Sequence, residues 1–435
     1  MKLTNRQIFL FWAPLAATWL MMAFEGPFLA AVIARLADPT FNLAAHGVAF
    51  AFAILIEAPV IMLMSAATAL VEDATSYRKL RNFANALNGG ATLALLVLLL
   101  PPVFDVVAET LLGLPPAIAD KSYQALWFYL PWPASIGIRR FLQGVLIRSG
   151  RTRLVAIGTV IRLFSMVTAA LALAGLTDLP GAAVGGGALS TGVLVEAAVA
   201  RWMARDSIRA LLAVEASPES PGLSYADITG FYIPLALTSL IGLAVQPMLT
   251  FFMGRSVSPV ESLAVFPVVN SLSFIFRSLG LAFQDAAIAL IGRDGEHREE
   301  LGRFALWLGG GATAVLAAIA FTPLAVVWFE TVSGLEPALA RFAYAPTRLA
   351  VPMASLSVLL SLQRAVLIKT RRTRPITVAT FVEAVLIAGT FAVGGWGLGW
   401  VGVTAAFAGF AVGRAGATAY LAVPLRRSLR AWKDG

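Results

Sequence analysis

Twelve charged side chains lie inside stretches of the chain that are otherwise apolar enough to cross a membrane. An ionisable group in hydrocarbon is costly unless it is paired or faces water, so each of them is a candidate site residue. The excess of arginine favours an anionic ligand, because a guanidinium offers paired donors to phosphate or carboxylate. The five acids are Glu25, Glu57, Glu196, Asp285 and Glu383, and the seven bases are Arg139, Arg140, Arg162, Arg277, Arg348, Arg364 and Arg414.

The elements that carry these charges are predicted to be transmembrane helices. Apolar residues make up 59% of the chain and charged residues only 13%. Apolar runs of about 20 residues, long enough to cross the hydrocarbon of a bilayer, recur along its length. We therefore predict an all-α polytopic membrane protein with twelve spans, near 7–35, 46–72, 82–104, 122–147, 153–176, 183–204, 226–254, 260–291, 304–329, 340–368, 375–394 and 400–425.

An internal duplication organises these spans. The segment Phe11–Thr18 returns 220 positions later as Phe231–Thr238, and Val145–Arg153 corresponds to Val366–Arg374 at an offset of 221. Six spans per half leave both halves in the same orientation, so we predict parallel repeats that hold a solute between them. The predicted domains are an N-lobe at 1–205, a cytoplasmic linker at 206–224 and a C-lobe at 225–435.

The lysine and arginine residues are concentrated in every second loop of the predicted topology. One set, with both termini, is rich in lysine and arginine, whereas the opposite loops and their edges hold only Arg35, Lys121, Arg255 and Arg341. By the positive-inside rule, both termini are predicted to be cytoplasmic in a multi-pass protein of the plasma (inner) membrane. This topology accounts for the net charge of +9, so we expect no nucleic-acid partner.

Several other function classes lack their usual residues. The chain has no cysteine and two histidines, so we expect no disulfide, no metal site and no cofactor. The glycine pattern Gly397–Gly402 lacks the strand, turn and helix that a dinucleotide requires. No cluster of nucleophile, base and orienting group appears, so we assign no catalytic residues.

Superposition of the repeats finds three positions that are charged in both halves with opposite sign. They are Glu57 with Arg277, Arg162 with Glu383, and Glu196 with Arg414, at offsets of 220, 221 and 218. The second and third positions lie at similar depths on neighbouring helices. We therefore predict one buried structural ion pair in each lobe, Arg162 with Glu196 and Glu383 with Arg414.

The remaining charges are candidates for solute handling. Glu57 and Arg277 have no obvious partner in their own lobes, and we predict that they meet in one conformational state and separate in the other. The adjacent Arg139 and Arg140 cannot both lie in lipid, so at least one is expected to face a cavity. Glu25 is suited to exchange a proton or bind a cation.

Two prolines at repeat-equivalent places are candidate hinges. Pro27 and Pro247 each remove a backbone hydrogen bond from the first helix of a half. The pattern allows bending during a transport cycle or a fixed curvature around a cavity.

The sequence resembles the multidrug/oligosaccharidyl-lipid/polysaccharide (MOP) exporter superfamily, to which MATE transporters belong, and is most similar to the progressive ankylosis protein family. The resemblance rests on Pro14-Leu15, Thr18 and Glu25, on His46–Phe50 and Pro59, on Phe266–Val268, and on Ala408–Arg414. It implies two six-helix lobes around a central cleft and export of small anions such as pyrophosphate, nucleotides or citrate. That family carries a base in helix 6 and an acid in helix 12, whereas Glu196 and Arg414 have exchanged signs here.

We therefore predict a secondary active transporter that exports a small anionic solute by alternating access, with H⁺ or Na⁺ as the coupling ion. Arg277, Arg139 or Arg140 would hold the solute, and Glu25 and Glu57 would couple to the cation or gate the cleft. The alternatives are a cation-coupled multidrug exporter, a flippase for lipid-linked diphosphate-oligosaccharides and, remotely, a membrane-embedded enzyme. We expect a monomer in the lipid bilayer.

Overall fold

The chain folds as a series of long helices. The computed structural model describes residues 3–214, 223–292, 295–370, 372 and 374–431, and within them extended pairing is limited to one isolated bridge between Val257 and Val401. The helices of the first half are α1 (Asn5–Ala23), α2 (Glu25–Ile33), α3 (Pro39–Glu57), α4 (Leu63–Leu70), α5 (Ala74–Leu98), α6 (Pro101–Asp105), α7 (Pro116–Phe128), α8 (Trp132–Arg148), α9 (Thr152–Leu176), α10 (Gly181–Met203) and α11 (Arg205–Leu212). Those of the second half are α12 (Tyr225–Gly254), α13 (Pro259–Leu290), α14 (Arg298–Phe321), α15 (Leu324–Val326), α16 (Pro337–Lys369), α17 (Arg374–Phe391) and α18 (Gly402–Ala431).

The predicted all-helical membrane fold is confirmed. In the described part of the chain, ten helical segments are long and apolar enough to span a membrane, and a pair bent by 78°, Ala74–Leu98 with Pro101–Leu111, brings the number to eleven. The fourth predicted span, 122–147, differs from the others because it is divided between α7 and α8, each shorter than a full crossing.

The duplication is visible in the backbone. Asp38 and Ser258, 220 positions apart, both adopt left-handed conformations (φ of 49° and 51°) directly before the proline that opens a helix. Gly113 and Gly334, 221 positions apart, have φ of 64° and 75°. A left-handed backbone is costly for residues such as aspartate and serine, so its occurrence at equivalent places reflects two copies of one local structure.

The helices group into two compact units that differ from the predicted lobes. Unit 1 comprises Met1–Arg35 with Phe251–Gly435, and unit 2 comprises Leu36–Thr250. The first helices therefore belong with the second half of the sequence, and most of α12 belongs with the first half. The predicted limits 1–205 and 225–435 describe the duplication rather than the packing.

Two hydrogen bonds at equivalent places account for this exchange. In unit 1, the indole Nε1 of Trp12 donates to the backbone oxygen of Leu279, at 3.3 Å. In unit 2, the hydroxyl of Tyr232 donates to the backbone oxygen of Pro59. Both donors and both acceptors are separated by 220 positions. Each half of the sequence thus supplies an aromatic side chain that donates to a backbone carbonyl of the other half.

Aromatic packing reinforces the exchange in the same symmetric way. The rings of Trp12 and Phe304 meet edge to face with centroids 5.9 Å apart, and those of Phe83 and Tyr232 do so at 5.1 Å. Phe83 and Phe304 are 221 positions apart. Edge-to-face pairs add specific contact energy to the burial of aromatic surface. The exchanged helices are therefore fixed by both polar and apolar contacts.

The two halves differ in the continuity of three helices. The first half is interrupted at Phe24, at 58–62 and at 129–131, whereas the corresponding helices α12, α13 and α16 run without interruption. Proline explains part of the difference, because Pro59 is replaced by Leu279 in the second half. It does not explain all of it.

The two candidate hinges show why proline alone is insufficient. Pro27 follows the interruption at Phe24 and has no N–H to donate to the carbonyl of Ala23. Pro247 occupies the equivalent place in α12, which is continuous through it. Bending at either proline stays a prediction.

The predicted linker at 206–224 is helical in its first part, where α11 continues to Leu212. Its Pro/Gly/Ser-rich segment, 215–222, lies outside the described residues. Four members of the lysine- and arginine-rich set of termini and loops also lie outside the described residues, namely Lys2, Arg293, Arg371 and Lys433. The placement of the termini stays a prediction.

Replacement of Tyr232 by phenylalanine should destabilise the protein by about 1 kcal/mol, because the carbonyl of Pro59 loses its donor while the ring is retained. The free energy of unfolding in a detergent titration measures this change. Tyr225→Phe is the matched control, since that side chain is 49% exposed at the start of the same helix. Equal stability of both variants would show that the bond contributes nothing.

Candidate functional site

Glu196 is the centre of a buried charge cluster in unit 2. Its Oε2 lies 2.8 Å from Nη1 of Arg139 and 3.5 Å from Nε of Arg162. Its Oε1 accepts a hydrogen bond from Nε2 of Gln143 at 3.1 Å, and the residue is fully buried. The predicted pair of Arg162 and Glu196 is present, but Glu196 also binds a second arginine that the prediction had reserved for the solute.

Helix geometry explains how these groups converge. Arg139 and Gln143 are four residues apart on α8, so they share one face of that helix. Gly192 on α10 allows close approach to α9, since a Cβ there would lie 3.1 Å from the backbone oxygen of Arg162. The glycine brings the two backbones together so that Glu196, one turn further along α10, reaches both guanidinium groups.

Arg140 is in a different position from its neighbour. Successive residues of a helix point about 100° apart, so Arg140 leaves the face that carries Arg139. Its Nη1 lies 3.9 Å from the sulfur of Met64, and no carboxylate in the described part of the chain lies within ion-pair distance of it. Arg139 is therefore committed to Glu196, and Arg140 is the better candidate for a solute.

Glu57 has a partner in its own unit, so the prediction that it lacks one is wrong. The indole Nε1 of Trp132 donates to its Oε2 at 2.5 Å, and both residues are buried. Glu57 is the last residue of α3 and Trp132 the first of α8, so this bond joins two helix interruptions. Tyr129, fully buried, packs edge to face on Trp132 at 5.6 Å. The predicted exchange contact between Glu57 and Arg277 stays a prediction.

Unit 1 contains the second predicted ion pair. Nε of Arg414 on α18 lies 3.0 Å from Oε1 of Glu383 on α17. The preceding residue, Gly413, has no side chain to separate the helices, and a Cβ there would lie 2.8 Å from the backbone oxygen of Glu383. A single carboxylate and a single guanidinium form this pair, in contrast to the shared acid of unit 2.

Two further arginines surround that pair. Arg277 lies in electrostatic range of both Arg414 and Glu383, and its guanidinium lies over the ring of Phe274 at 5.9 Å. Arg364 also lies in electrostatic range of the pair. In the described chain, neither Arg277 nor Arg364 has a carboxylate within ion-pair distance. The cluster therefore holds three guanidinium groups and one carboxylate.

The glycine contacts also revise the alignment of the repeats. Gly192 packs on Arg162 and Gly413 packs on Glu383, and both glycines and both partners are 221 positions apart. This register differs by three residues from the offset of 218 that matched Glu196 with Arg414. The two charges therefore lie nearly one helical turn apart in the superimposed repeats, although each still reaches its partner on the preceding helix.

Glu25 begins α2 directly after the interruption in the first helix and is partly buried. A carboxylate in the first turn is stabilised by the helix dipole. In the same unit, Asp285 accepts a hydrogen bond from Nε1 of Trp19 at 3.4 Å. The binding of a proton or a cation by Glu25 stays a prediction.

Both clusters are net positive. In unit 2, Arg139, Arg140 and Arg162 lie in electrostatic range of Glu57 and Glu196. In unit 1, the three guanidinium groups lie in electrostatic range of Glu383, the one acid of that cluster among the described residues. Buried charge of one sign is unfavourable unless a counter-charge or water reaches it. The arrangement is therefore suited to binding an anion.

Comparison with solved structures identifies the fold. A MATE-family multidrug resistance transporter in an inward-facing conformation matches with a TM-score of 0.69 at 15% identity, over 96% of each chain. The lipid II flippase MurJ in an inward closed conformation matches with a TM-score of 0.71 at 10% identity, over 95% of this chain and 87% of that one. The chain has the fold of the MOP superfamily.

A third match is a MOP-superfamily transporter noted for the polarity of its own binding pocket. It is a transporter from Pyrococcus furiosus whose binding pocket has reversed polarity, suggesting a different function for that protein, and it matches with a TM-score of 0.65 at 15% identity, over 99% of this chain and 97% of that one. No family model and no curated protein matches the sequence. The MOP fold is thus shown by structure alone.

Sequence reasoning missed two residues of the clusters. Gln143 had a usable signal, its spacing of four from Arg139 on one helix. Trp132 had none, because its bond to Glu57 spans 75 positions and depends on where two helices are interrupted. An amphipathic pattern locates a helix face but not the point at which the helix ends.

Replacement of Glu196 by glutamine should destabilise the protein by about 3 kcal/mol or more, because two buried guanidinium groups lose their counter-charge. Glu383→Gln should destabilise the protein less, because only one arginine loses its ion-pair partner. The Glu383 side chain is also 12% exposed, against 1% for Glu196, so water screens the charge that remains. The free energy of unfolding in detergent compares the two.

The control is Glu72→Gln, whose carboxylate pairs with Arg148 while 67% exposed and should contribute less than about 1 kcal/mol. If the Glu196→Gln protein unfolds like the wild type but no longer transports, Glu196 handles the solute instead of stabilising the fold.

Proposed function

We propose that the protein is a secondary active transporter that exports a small anionic solute by alternating access. The observation that carries the proposal is the excess of guanidinium groups over carboxylates in the charge cluster of each unit, around Glu196 and around Glu383. A transporter for cations would gain nothing from these charges, which repel its solute. The MOP fold supports transport as the general activity.

Arg140 and Arg277 are the proposed solute ligands. Each is a base without an ion-pair partner in the described residues, and each lies beside a pair that keeps other charges neutral. Guanidinium groups bind carboxylate or phosphate with two parallel donors, which suits an anion that must be both held and released. Arg139 supports Arg140 by fixing Glu196 in place.

Glu57 and Glu25 are the proposed coupling residues for H⁺ or Na⁺. The charged carboxylate of Glu57 holds the indole of Trp132, and a charge-assisted hydrogen bond is stronger than a neutral one. Binding of a proton or Na⁺ would weaken this bond between the ends of α3 and α8. Cation binding would thereby act on two helix interruptions at once.

A flippase for a lipid-linked diphosphate is the second candidate. A guanidinium group can bind a diphosphate head group through paired donors, as it can bind a small anion. The lipid II flippase MurJ also matches most of the chain in structure. The two candidates differ in the solute that they move, so a transport panel separates them.

Proteoliposomes that contain the purified protein should transport pyrophosphate or citrate down an imposed H⁺ or Na⁺ gradient, and should not transport a cationic dye. Arg277→Gln and Arg140→Gln should each reduce anion transport at least tenfold, because each removes a charge-assisted contact. Uptake of the dye alone would identify a drug exporter, and movement of a lipid-linked diphosphate alone would identify a flippase.

Glu57→Gln should fold normally, because the amide oxygen can still accept from Trp132, but transport should lose its dependence on the cation gradient. The measurement is anion flux with and without the gradient. Trp132→Phe is the matched comparison, since it removes the donor and leaves the carboxylate charged. Unchanged coupling in Glu57→Gln would exclude this residue from cation binding.

A further inference from the structure

A group of exposed arginines surrounds Asp206 in unit 2, where α10 passes into α11. Oδ1 of Asp206 lies 3.6 Å from Nη1 of Arg209 and 3.8 Å from Nε of Arg205. Its Oδ2 lies 3.8 Å from Nη1 of Arg151, directly before α9. These distances exceed the roughly 2.7 to 3.2 Å of a hydrogen bond, so three guanidinium groups share one acid without a close contact to it.

Helix geometry adds a fourth base. Ala204, between α10 and α11, donates to the backbone oxygen of Ala200 and accepts from the N–H of a residue of α11, at 2.9 Å each. The helical path therefore continues, and Arg201, Arg205 and Arg209 lie along one face at intervals of four residues. All of these arginines are exposed. The interfacial arginines are therefore Arg151, Arg201, Arg205 and Arg209.

The interfacial arginines lie at the ends of two membrane spans. Arg151 directly precedes α9 and Arg201 is in the last turn of α10, and both helices are long and apolar enough to cross a membrane. The 25 residues of α9 extend about 38 Å, whereas the hydrocarbon of a bilayer is about 30 Å thick. The guanidinium groups are therefore expected at the depth of the lipid phosphates, whichever side of the membrane is cytoplasmic.

An exposed tryptophan beside these charges favours a lipid over a soluble anion. Trp202, in the last turn of α10, is 63% exposed, and the guanidinium group of Arg205 lies over its indole at 5.2 Å from the ring centroid. Tryptophan is enriched at the surface of the hydrocarbon because its ring is amphipathic. A phospholipid offers a phosphate to the arginine and a glycerol with acyl chains to the ring, whereas a free anion would use the charge alone.

We propose that the interfacial arginines bind the phosphate group of an anionic phospholipid and that Trp202 packs against its glycerol and upper acyl chains. Asp206 holds the arginines together without lipid and yields to the phosphate, to which a guanidinium group offers two parallel donors. Each base near the membrane surface strengthens such binding roughly fivefold. The site is independent of the solute that the protein transports.

Native mass spectrometry of the purified full-length protein tests the site with dioleoyl phosphatidylglycerol and dioleoyl phosphatidylcholine, which have the same acyl chains. The wild type should bind the first phosphatidylglycerol at least tenfold more tightly than phosphatidylcholine. Arg205→Gln should weaken binding of phosphatidylglycerol about fivefold, and the double variant with Arg209→Gln about twenty-fivefold. Neither change should affect phosphatidylcholine. A wild type that binds the two lipids equally would overturn the inference.

Asp206→Asn separates lipid binding from a structural role of the cluster. The variant should bind phosphatidylglycerol more tightly than the wild type, because the carboxylate that competes with the phosphate for the guanidinium groups is removed. A purely structural cluster predicts the opposite, since the arginines would lose the group that holds them together. Weaker binding by Asp206→Asn would therefore count against the site.

Arg81→Gln is the matched control. Arg81 is also exposed and also lies over an aromatic ring, at 5.9 Å, but that ring belongs to Tyr77, which is 2% exposed and cannot contact a lipid. The variant should bind phosphatidylglycerol like the wild type. Equal losses of affinity in Arg81→Gln and Arg205→Gln would show that the lipid responds only to net charge, and the proposed site would be wrong.

A second measurement needs no variant. Phenylglyoxal modifies arginine side chains, and mass spectrometry identifies the modified residues. Arg205 and Arg209 should react at least fivefold more slowly in nanodiscs of phosphatidylglycerol than in nanodiscs of phosphatidylcholine, whereas Arg81 should react alike in both. Glycerol 3-phosphate added to phosphatidylcholine nanodiscs should not protect them. Equal reaction of Arg205 in both lipids would overturn the inference, and full protection by glycerol 3-phosphate would assign the site to a soluble phosphate instead.

Discussion

The cost of an unpaired charge in hydrocarbon determines most of this structure. Glu196 can be buried completely because two arginines and Gln143 occupy both of its oxygens. Those contacts require the backbones of α9 and α10 to approach closely, which Gly192 permits. The position of the glycine therefore sets how closely the helices pack, and the close packing allows the buried charges to pair. Several arginines remain after the acids are paired, and they are the ones proposed to bind an anion.

The duplicated halves have solved this problem differently. In unit 2, one acid is shared between two bases, and another fixes two helix interruptions together through Trp132. In unit 1, one acid binds one base and two further arginines remain. The helices that correspond to the interrupted ones are continuous in the second half of the sequence, so the halves differ in helix continuity as well as in the charges of their clusters.

Much of the fold could be predicted from the sequence, because the apolar runs indicate the span lengths and the repeat, with its nearly constant offset of 220 to 221, indicates the symmetry. The exchange of the first and seventh helices could not, since it depends on contacts such as Trp12 with Leu279 that span more than half of the chain. The helix interruptions could not be predicted either. Proline occupies equivalent places at Pro27 and Pro247, but only the first of these helices is interrupted. In the site, the charges were visible and the pair of Glu383 and Arg414 was foreseen. The partners of Arg139 and Glu57 depended on helix ends and faces that periodicity does not locate.

The helix exchange has a consequence for biosynthesis. Trp12 and the carbonyl that it caps are 267 residues apart, so the ribosome must work for about 13 to 50 s between them at 5 to 20 residues per second. During that interval the first helix lacks the partner to which its indole donates. The same connectivity means that neither half of the gene encodes a complete packing unit. Two separately translated halves would have to meet and trade helices in the membrane before either could become compact.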